Sequence, residues 1–141
     1  MDLSPILARL KTQLTGLKSV GASADLDAAI DGVVAMPAAF ALPLGESASD
    51  MGLVGSTGQR IVQAFGVVHC VSNRRDAQGG AALVDLALLR TNLRTALVGW
   101  VPDGATGEAV TFTGGRLLRL DGDGRLWWID EFQLTTYYWS P

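Results

Sequence analysis

The sequence predicts an α+β fold: a single mixed or antiparallel β-sheet with helices packed mainly on one face. Three observations predict it. Gly58–Asn73 and Arg116–Trp139 are long strand-forming stretches with apolar residues on both faces, and the first alternates Ile61, Phe65, Val67 and Val71 against Val62, Ala64, Val68 and Cys70. Between them, Leu83, Leu86, Leu89, Leu93, Leu97 and Trp100 recur on one helical face. The element order reads α-β-α-β-β-α-β-β, which suits one sheet with helices packed against it. A strand apolar on both sides belongs in the middle of a sheet that is covered twice. In a chain this short, one covering layer is its own helices and the other is often a second subunit, which points to an assembling protein.

Each element has local punctuation. Ser4 suits an N-cap and Pro5 a first helical position. Ile6, Leu7, Leu10 and Leu14 then share a face, and Gly16 suits the left-handed position past the helix end. Leu17–Gly21 reads as a short strand. Ser23 caps a second helix with Asp25 in its first turn, where the helix dipole favours a carboxylate. Leu26, Ala29 and Ile30 form its buried stripe, and Gly32 ends it. Ala38, Phe40 and Leu42 alternate into a strand stopped by Pro43. Gly45–Gly58 has little periodicity, and a loop this long in a compact domain is usually functional or disordered; between two strands it suits the tip of an extended hairpin.

After the central strand, Ser72-Asn73-Arg74-Arg75-Asp76 reads as a polar turn, with Asp76 a cap for the long helix. That helix ends at Gly99, with Trp100 packing back and Pro102 preventing continuation. Val110–Phe112 is an edge-strand candidate. Arg116–Leu120 and Arg125–Asp130 flank Asp121-Gly122-Asp123-Gly124, a hairpin signal because Gly tolerates positive φ. The second arm is long enough to run on to Trp139.

The length of 141 residues fits one domain, 1–141. Apolar content of 48% supplies a core, and 18% charged residues leave much surface that is not simply solvated. Nine arginines stand against two lysines, Lys11 and Lys18. Arg is enriched at interfaces and Lys depleted, although a GC-rich genome gives the same bias. The net charge of −3 and the lack of a basic run argue against phosphate-driven nucleic-acid binding. Cys70 stands alone, which excludes an internal disulfide and a multi-cysteine zinc site. No charged-then-apolar leader and no bilayer-spanning apolar run is present. The expectation is a soluble chain made in the cytoplasm, with no membrane partner.

Catalytic chemistry is poorly supported. His69 and Cys70 are adjacent on a strand and face opposite ways, and there is no second His to act as base. Cys70 is therefore expected to be a small buried apolar residue. Asp121 and Asp123 resemble the start of a calcium loop, but the downstream ligands are missing and a tight turn fits better. Asp130 and Glu131 also face opposite ways and make no acid/base pair. Gly52–Gly58 lacks the Lys and helix of a phosphate loop. No catalytic, cofactor-binding or metal residue is assigned, and no cofactor is expected.

The aromatic run is the anomaly. Trp127 and Trp128 must face the two sides of the sheet, one filling the helix-covered core and the other needing cover elsewhere. A Trp tucked under a loop and an inter-subunit anchor are the two readings, and Trp, Tyr and Arg dominate interface hot spots. Stacking on single-stranded nucleic acid is disfavoured by the acidic balance. Arg60, Arg74, Arg75, Arg90, Arg94, Trp127, Trp128 and Trp139 are the candidate interface residues. Arg90 and Arg94 sit one helical turn apart, where like charges repel slightly and an outside carboxylate would help.

Four passages carry a family resemblance. They are Pro37–Leu44 before a Gly/Ser loop; Gln59-Arg60 leading into Phe65-Gly66-Val67-Val68; the helix end from Leu89 to Trp100; and Gly115-Arg116-Leu117-Leu118 with Asp123-Gly124-Arg125-Leu126-Trp127-Trp128, Asp130 and Phe132. In order and spacing the chain resembles the tail terminator, or tail completion, proteins of long-tailed bacteriophages over nearly its whole length. That family has no catalytic signature. The resemblance implies a structural virion protein: a hexameric ring on the head-proximal end of the tail tube, ending tube polymerisation and offering a surface to the head–tail connector or neck protein. It implies assembly in the host bacterial cytoplasm and a lumen through which DNA passes without sequence-specific binding. On that reading Arg74, Arg75, Arg90 and Arg94 meet carboxylates on a neighbour, and the Gly45–Gly58 loop reaches the tube or an adjacent subunit. The alternatives are another ring-forming neck or tube-like component, or a small-ligand-binding or enzymatic domain whose aromatic C-terminal strand lines a pocket.

Overall fold

The doubly apolar stretch at residues 58–73 becomes the middle strand of a five-stranded sheet. The computed structural model describes residues 1–73, 80–102, 107–122 and 124–141. Its elements are α1 (Ser4–Gln13), β1 (Ser19–Gly21), α2 (Ser23–Asp31), β2 (Ala38–Asp50), β3 (Thr57–Ser72), α3 (Gly80–Leu97), β4 (Thr111–Leu120) and β5 (Arg125–Ser140). The sheet order is β1-β2-β3-β5-β4; β1 runs parallel to β2 and every other pair is antiparallel. This is the α+β fold that the sequence predicts. No described helix is long and apolar enough to cross a membrane.

Because strand side chains alternate, β3 feeds two cores. On one face, Phe65 and Val67 join Ala39, Ala41, Phe132 and Leu134 beneath Ile6 and Leu10 of α1 and Leu93, Ala96 and Leu97 of α3. Phe65 and Phe132 stack with ring centroids 5.4 Å apart. On the other face, Val68 and Cys70 join Phe40, Trp127 and Ile129 under Ala29, Leu26 and Ile30 of α2. The second cover at the base of the sheet is therefore the chain's own α2, not the second subunit that the pattern suggested. The cover stops partway, and residues 43–57 are exposed throughout. Leu93 is fully buried, so Leu93→Ala is expected to cost about 2–5 kcal/mol. A lower denaturant midpoint at unchanged slope would show it; a change within noise would remove Leu93 from the core.

Several local expectations need correction. Pro43 does not stop β2, which continues to Asp50 through a bulge between Pro43 and Gly45. Proline is excluded only where its N–H is needed, and at a bulge it is tolerated. Val110–Phe112 and Arg116–Leu120 merge into the single strand β4, bulged between Phe112 and Gly114. Leu83 is 60% exposed while Ala82 takes the buried position, because the face below α3 is set by Leu86, Leu89 and Leu93. The α1 N-terminus is satisfied by Asp2, whose carboxylate accepts the Ser4 N–H at 2.9 Å, instead of by a Ser4 cap. At α2 the cap position falls to Ala22 instead of Ser23, and Asp25 Oδ2 accepts the Ala22 N–H at 2.9 Å. Gly16 does not adopt positive φ, whereas Gly99 does, at +85°, and lets Trp100 turn back onto the core. The Asp76 cap lies outside the described residues.

Candidate assembly surfaces

Two buried ionic knots hold the base of the sheet, and both use residues singled out above. The first centres on Asp130, fully buried on β5. Arg90 of α3 reaches down to it, its Nε donating to Oδ1 at 3.0 Å and to Oδ2 at 3.2 Å. Trp128 Nε1 donates to Oδ1 at 3.1 Å, and His69 Nε2 lies 3.0 Å from Oδ2. The Arg90 guanidinium also lies over the Trp128 ring, 4.5 Å from its centroid. Gly115 on β4 makes room, since a Cβ there would stand 2.5 Å from Asp130 Oδ1 and 3.0 Å from Arg90 Nη2. Burial alone pushes the Asp130 carboxyl up, but hydrogen bonds from His69, Arg90 and Trp128 outweigh it and hold the group below the usual carboxylate range. His69 Nδ1 is buried with no hydrogen-bond partner among the described residues.

The second knot centres on Arg125. Its Nη1 donates to the carbonyls of Ala29 at 2.7 Å and Gly32 at 3.0 Å, and its Nη2 to Ile30 at 3.0 Å. These are the orphan carbonyls at the C-terminus of α2, where a cation also suits the helix dipole. Asp121 Oδ2 accepts from Arg125 Nε at 2.7 Å and from Trp127 Nε1 at 2.9 Å. Asp121 is thus occupied inside its turn instead of awaiting a calcium ion. Burial raises its carboxyl, and the bonds from Trp127 and Arg125 more than offset that, leaving it lowered. Gly124, with φ +73°, closes the turn; Asp123 lies outside the described residues.

Away from these knots, several large apolar side chains are exposed. At the distal end, Trp139 and Tyr138 are each 55% exposed, and Tyr137 stacks on Trp139 at 6.5 Å. Leu53 folds back beside Trp139 over Gly58, where a Cβ would meet both at under 3 Å. Val54, at the hairpin tip, is fully exposed, as are large parts of Leu83, Val84 and Leu88 on the outer side of α3. The edge strand β4 exposes Leu117, Leu118 and Leu120.

The structure sorts the candidate interface residues by these contacts. Trp127 belongs to the chain's own core at 1% exposure, so it is no inter-subunit anchor. Arg90 finds its carboxylate within the chain, in Asp130, instead of on a neighbour. Trp128 is half-buried under Arg90. Arg94 is half-buried above the Phe112 ring, 5.4 Å from its centroid. Arg60 is exposed, with Nη2 3.4 Å from Thr135 Oγ1. Arg74 and Arg75 lie outside the described residues. Arg60, Arg94 and Trp139 thus remain available at the surface. The sequence reading missed the tie from Arg125 to the end of α2 and the His69–Asp130 pair, whose partners lie far away in the chain; the Asp121–Arg125 pair, only four residues apart, was missed because Asp121 was read as a turn residue alone.

Catalytic features stay weak. Cys70 is buried, and loss of water around the thiol pushes its pKa up to about 12, so it is no nucleophile at neutral pH. No metal-holding group of three or more ligands occurs among the described residues. A groove of ≈ 410 Å³ is lined by residues including Lys18, Met36, Pro37, Val71, Asp85 and Leu88. None of the C-terminal aromatics lines it, contrary to what the ligand-binding alternative requires.

No curated protein matches the chain. Among solved structures, a chain of the virion of a native gene transfer agent particle aligns at TM-score 0.46 and 15% identity, over 94% of this chain and 95% of that one. That likeness is too distant to carry an argument. Residues 1–139 match the family described as phage tail terminator protein, so the role is a structural one in the phage tail and the location is the virion. The chain belongs to the phage tail terminator family.

Proposed function

We propose that the chain assembles as a hexameric ring on the head-proximal end of the tail tube, ends tube polymerisation there and presents its other face to the head–tail connector. The family match over residues 1–139 carries this reading. The surface supports it: the exposed apolar residues of the hairpin tip, the end of β5, β4 and the outer side of α3 are spread over several sides of the molecule. A subunit in the middle of an assembly touches neighbours in just that way. A head-to-tail contact closes when its rotation divides a full turn. The ring caps the tube if one face copies the tube subunit's contact and the other does not regenerate it. Packaged DNA threads the lumen, and a chain of net charge −3 gives it little to stick to. The reading assigns no catalysis to the chain.

The test is the mass of the purified protein in solution with negative-stain images of the same sample. Six-fold rings that do not lengthen are the expected result; long cylinders would make this a tube-like component, and a monomer at every concentration would overturn the ring. Arg94→Glu is expected to lower the ring fraction without moving the thermal midpoint. Unchanged assembly would take Arg94 out of the interface.

A further inference from the structure

The two sides of the sheet end in complementary ways. On one side β4 is outermost along its whole length. On the other, β1 pairs with β2 only from Ala38 to Phe40, so residues 41–50 of β2 have no strand neighbour there among the described residues. Both edges offer backbone N–H and C=O groups to another chain. On β4 the exposed Leu117, Leu118 and Leu120 make a lone edge a poor permanent state.

Direction and charge choose the partner. β2, β3, β5 and β4 alternate in direction across the sheet, so β4 and β2 run opposite ways. A copy generated by rotation about a ring axis can therefore lay its β2 against the first copy's β4 as an antiparallel pair, and the alternation continues unbroken. Arg116 and Arg119 lie opposite Ile129 and Trp127, on the α2 face. Glu46 and Asp50 lie opposite Gln63 and Gln59, on the face covered by α1 and α3. Pairing β4 with β4 would set arginines against arginines on one face, and β2 with β2 would set carboxylates together; like charges across a strand pair are destabilising. Pairing β4 with β2 avoids both: in the continued sheet the arginines stay on the α2 face, where Arg116 already holds Glu131, and the carboxylates stay on the other.

We infer that β4 of one copy pairs antiparallel with the outer half of β2, residues 41–50, of the next, joining neighbouring sheets edge to edge; this rests on the ring reading above. The test mixes two full-length variants, Leu118→Cys and Leu44→Cys, which the antiparallel overlap of 111–120 with 41–50 brings side by side, and treats the mixture with a short bis-maleimide. Both sites are exposed, and buried Cys70 does not compete. The expected products are covalent dimers linking residue 118 of one copy to residue 44 of another, far exceeding 118–118 or 44–44 links by peptide mass spectrometry. Rings in the electron microscope with links only between like positions, or with none, would overturn the edge pairing and leave the ring standing. A sample that is monomeric by solution mass would remove the ring and the pairing together. Thr113→Cys with Ala48→Cys, opposite one another in the same overlap and both exposed, repeats the experiment should either first variant fail to fold.

Discussion

Asp130→Ala is expected to destabilise the chain by about 3–5 kcal/mol, the usual result of removing one partner from a buried ion pair. The carboxylate takes hydrogen bonds from Arg90, Trp128 and His69 in a site with no solvent exposure. Its removal leaves a guanidinium tethered over Trp128 without its counter-charge, and a histidine with neither nitrogen partnered. Urea unfolding at neutral pH reads the loss. The acid dependence gives an independent check. The folded-state pKa of Asp130 lies below its ordinary value of 3.8, so its contribution is complete above that value and drains away as pH falls through the lower, folded one. The stability gap between the wild type and Asp130→Asn should therefore be constant near neutrality and narrow below about pH 4. A gap that stays constant down to pH 2 would mean that the carboxylate charge contributes nothing.

Arg125→Ala is expected to cost a comparable 3–5 kcal/mol or so. It strands the buried Asp121 carboxylate and frees three α2 carbonyls at once. Because α2 is the cover over Trp127, the near-ultraviolet circular dichroism of the tryptophans should weaken along with stability. Arg125→Lys should recover little, since an ammonium cannot reproduce the planar fork that serves the carboxylate and the helix end together. Full rescue by lysine would reduce the site to a simple charge pair.

The order of elements was legible because it rests on periodicity. The doubly apolar β3, the α3 stripe through Leu86, Leu89 and Leu93, and the Asp-Gly turn all declare themselves within a few residues. Pro43 misled because a proline rules out only a strand whose N–H is required, and β2 at that point is a bulged sheet edge. The adjacent tryptophans showed that each faces a different side, but not that α2 would return to cover Trp127. Arg90 with Asp130, and Arg125 with the end of α2, join residues 40 and more than 90 positions apart, and such partners are chosen by the folded backbone. The arginines offered as interface residues illustrate the result: composition found the right residue type, while tertiary structure decided that Arg90 faces inward and Arg60 outward.

The division between a doubly covered base and a bare distal hairpin makes the chain two materials in one. Amide hydrogens at residues 65–71 of β3 should exchange only on global unfolding, whereas those around residues 45–60 should exchange through local fraying. Substitutions at the tip then cost the fold little, because no core depends on them. Selection can reshape that end, trading one side chain for another, while the base keeps the chain folded.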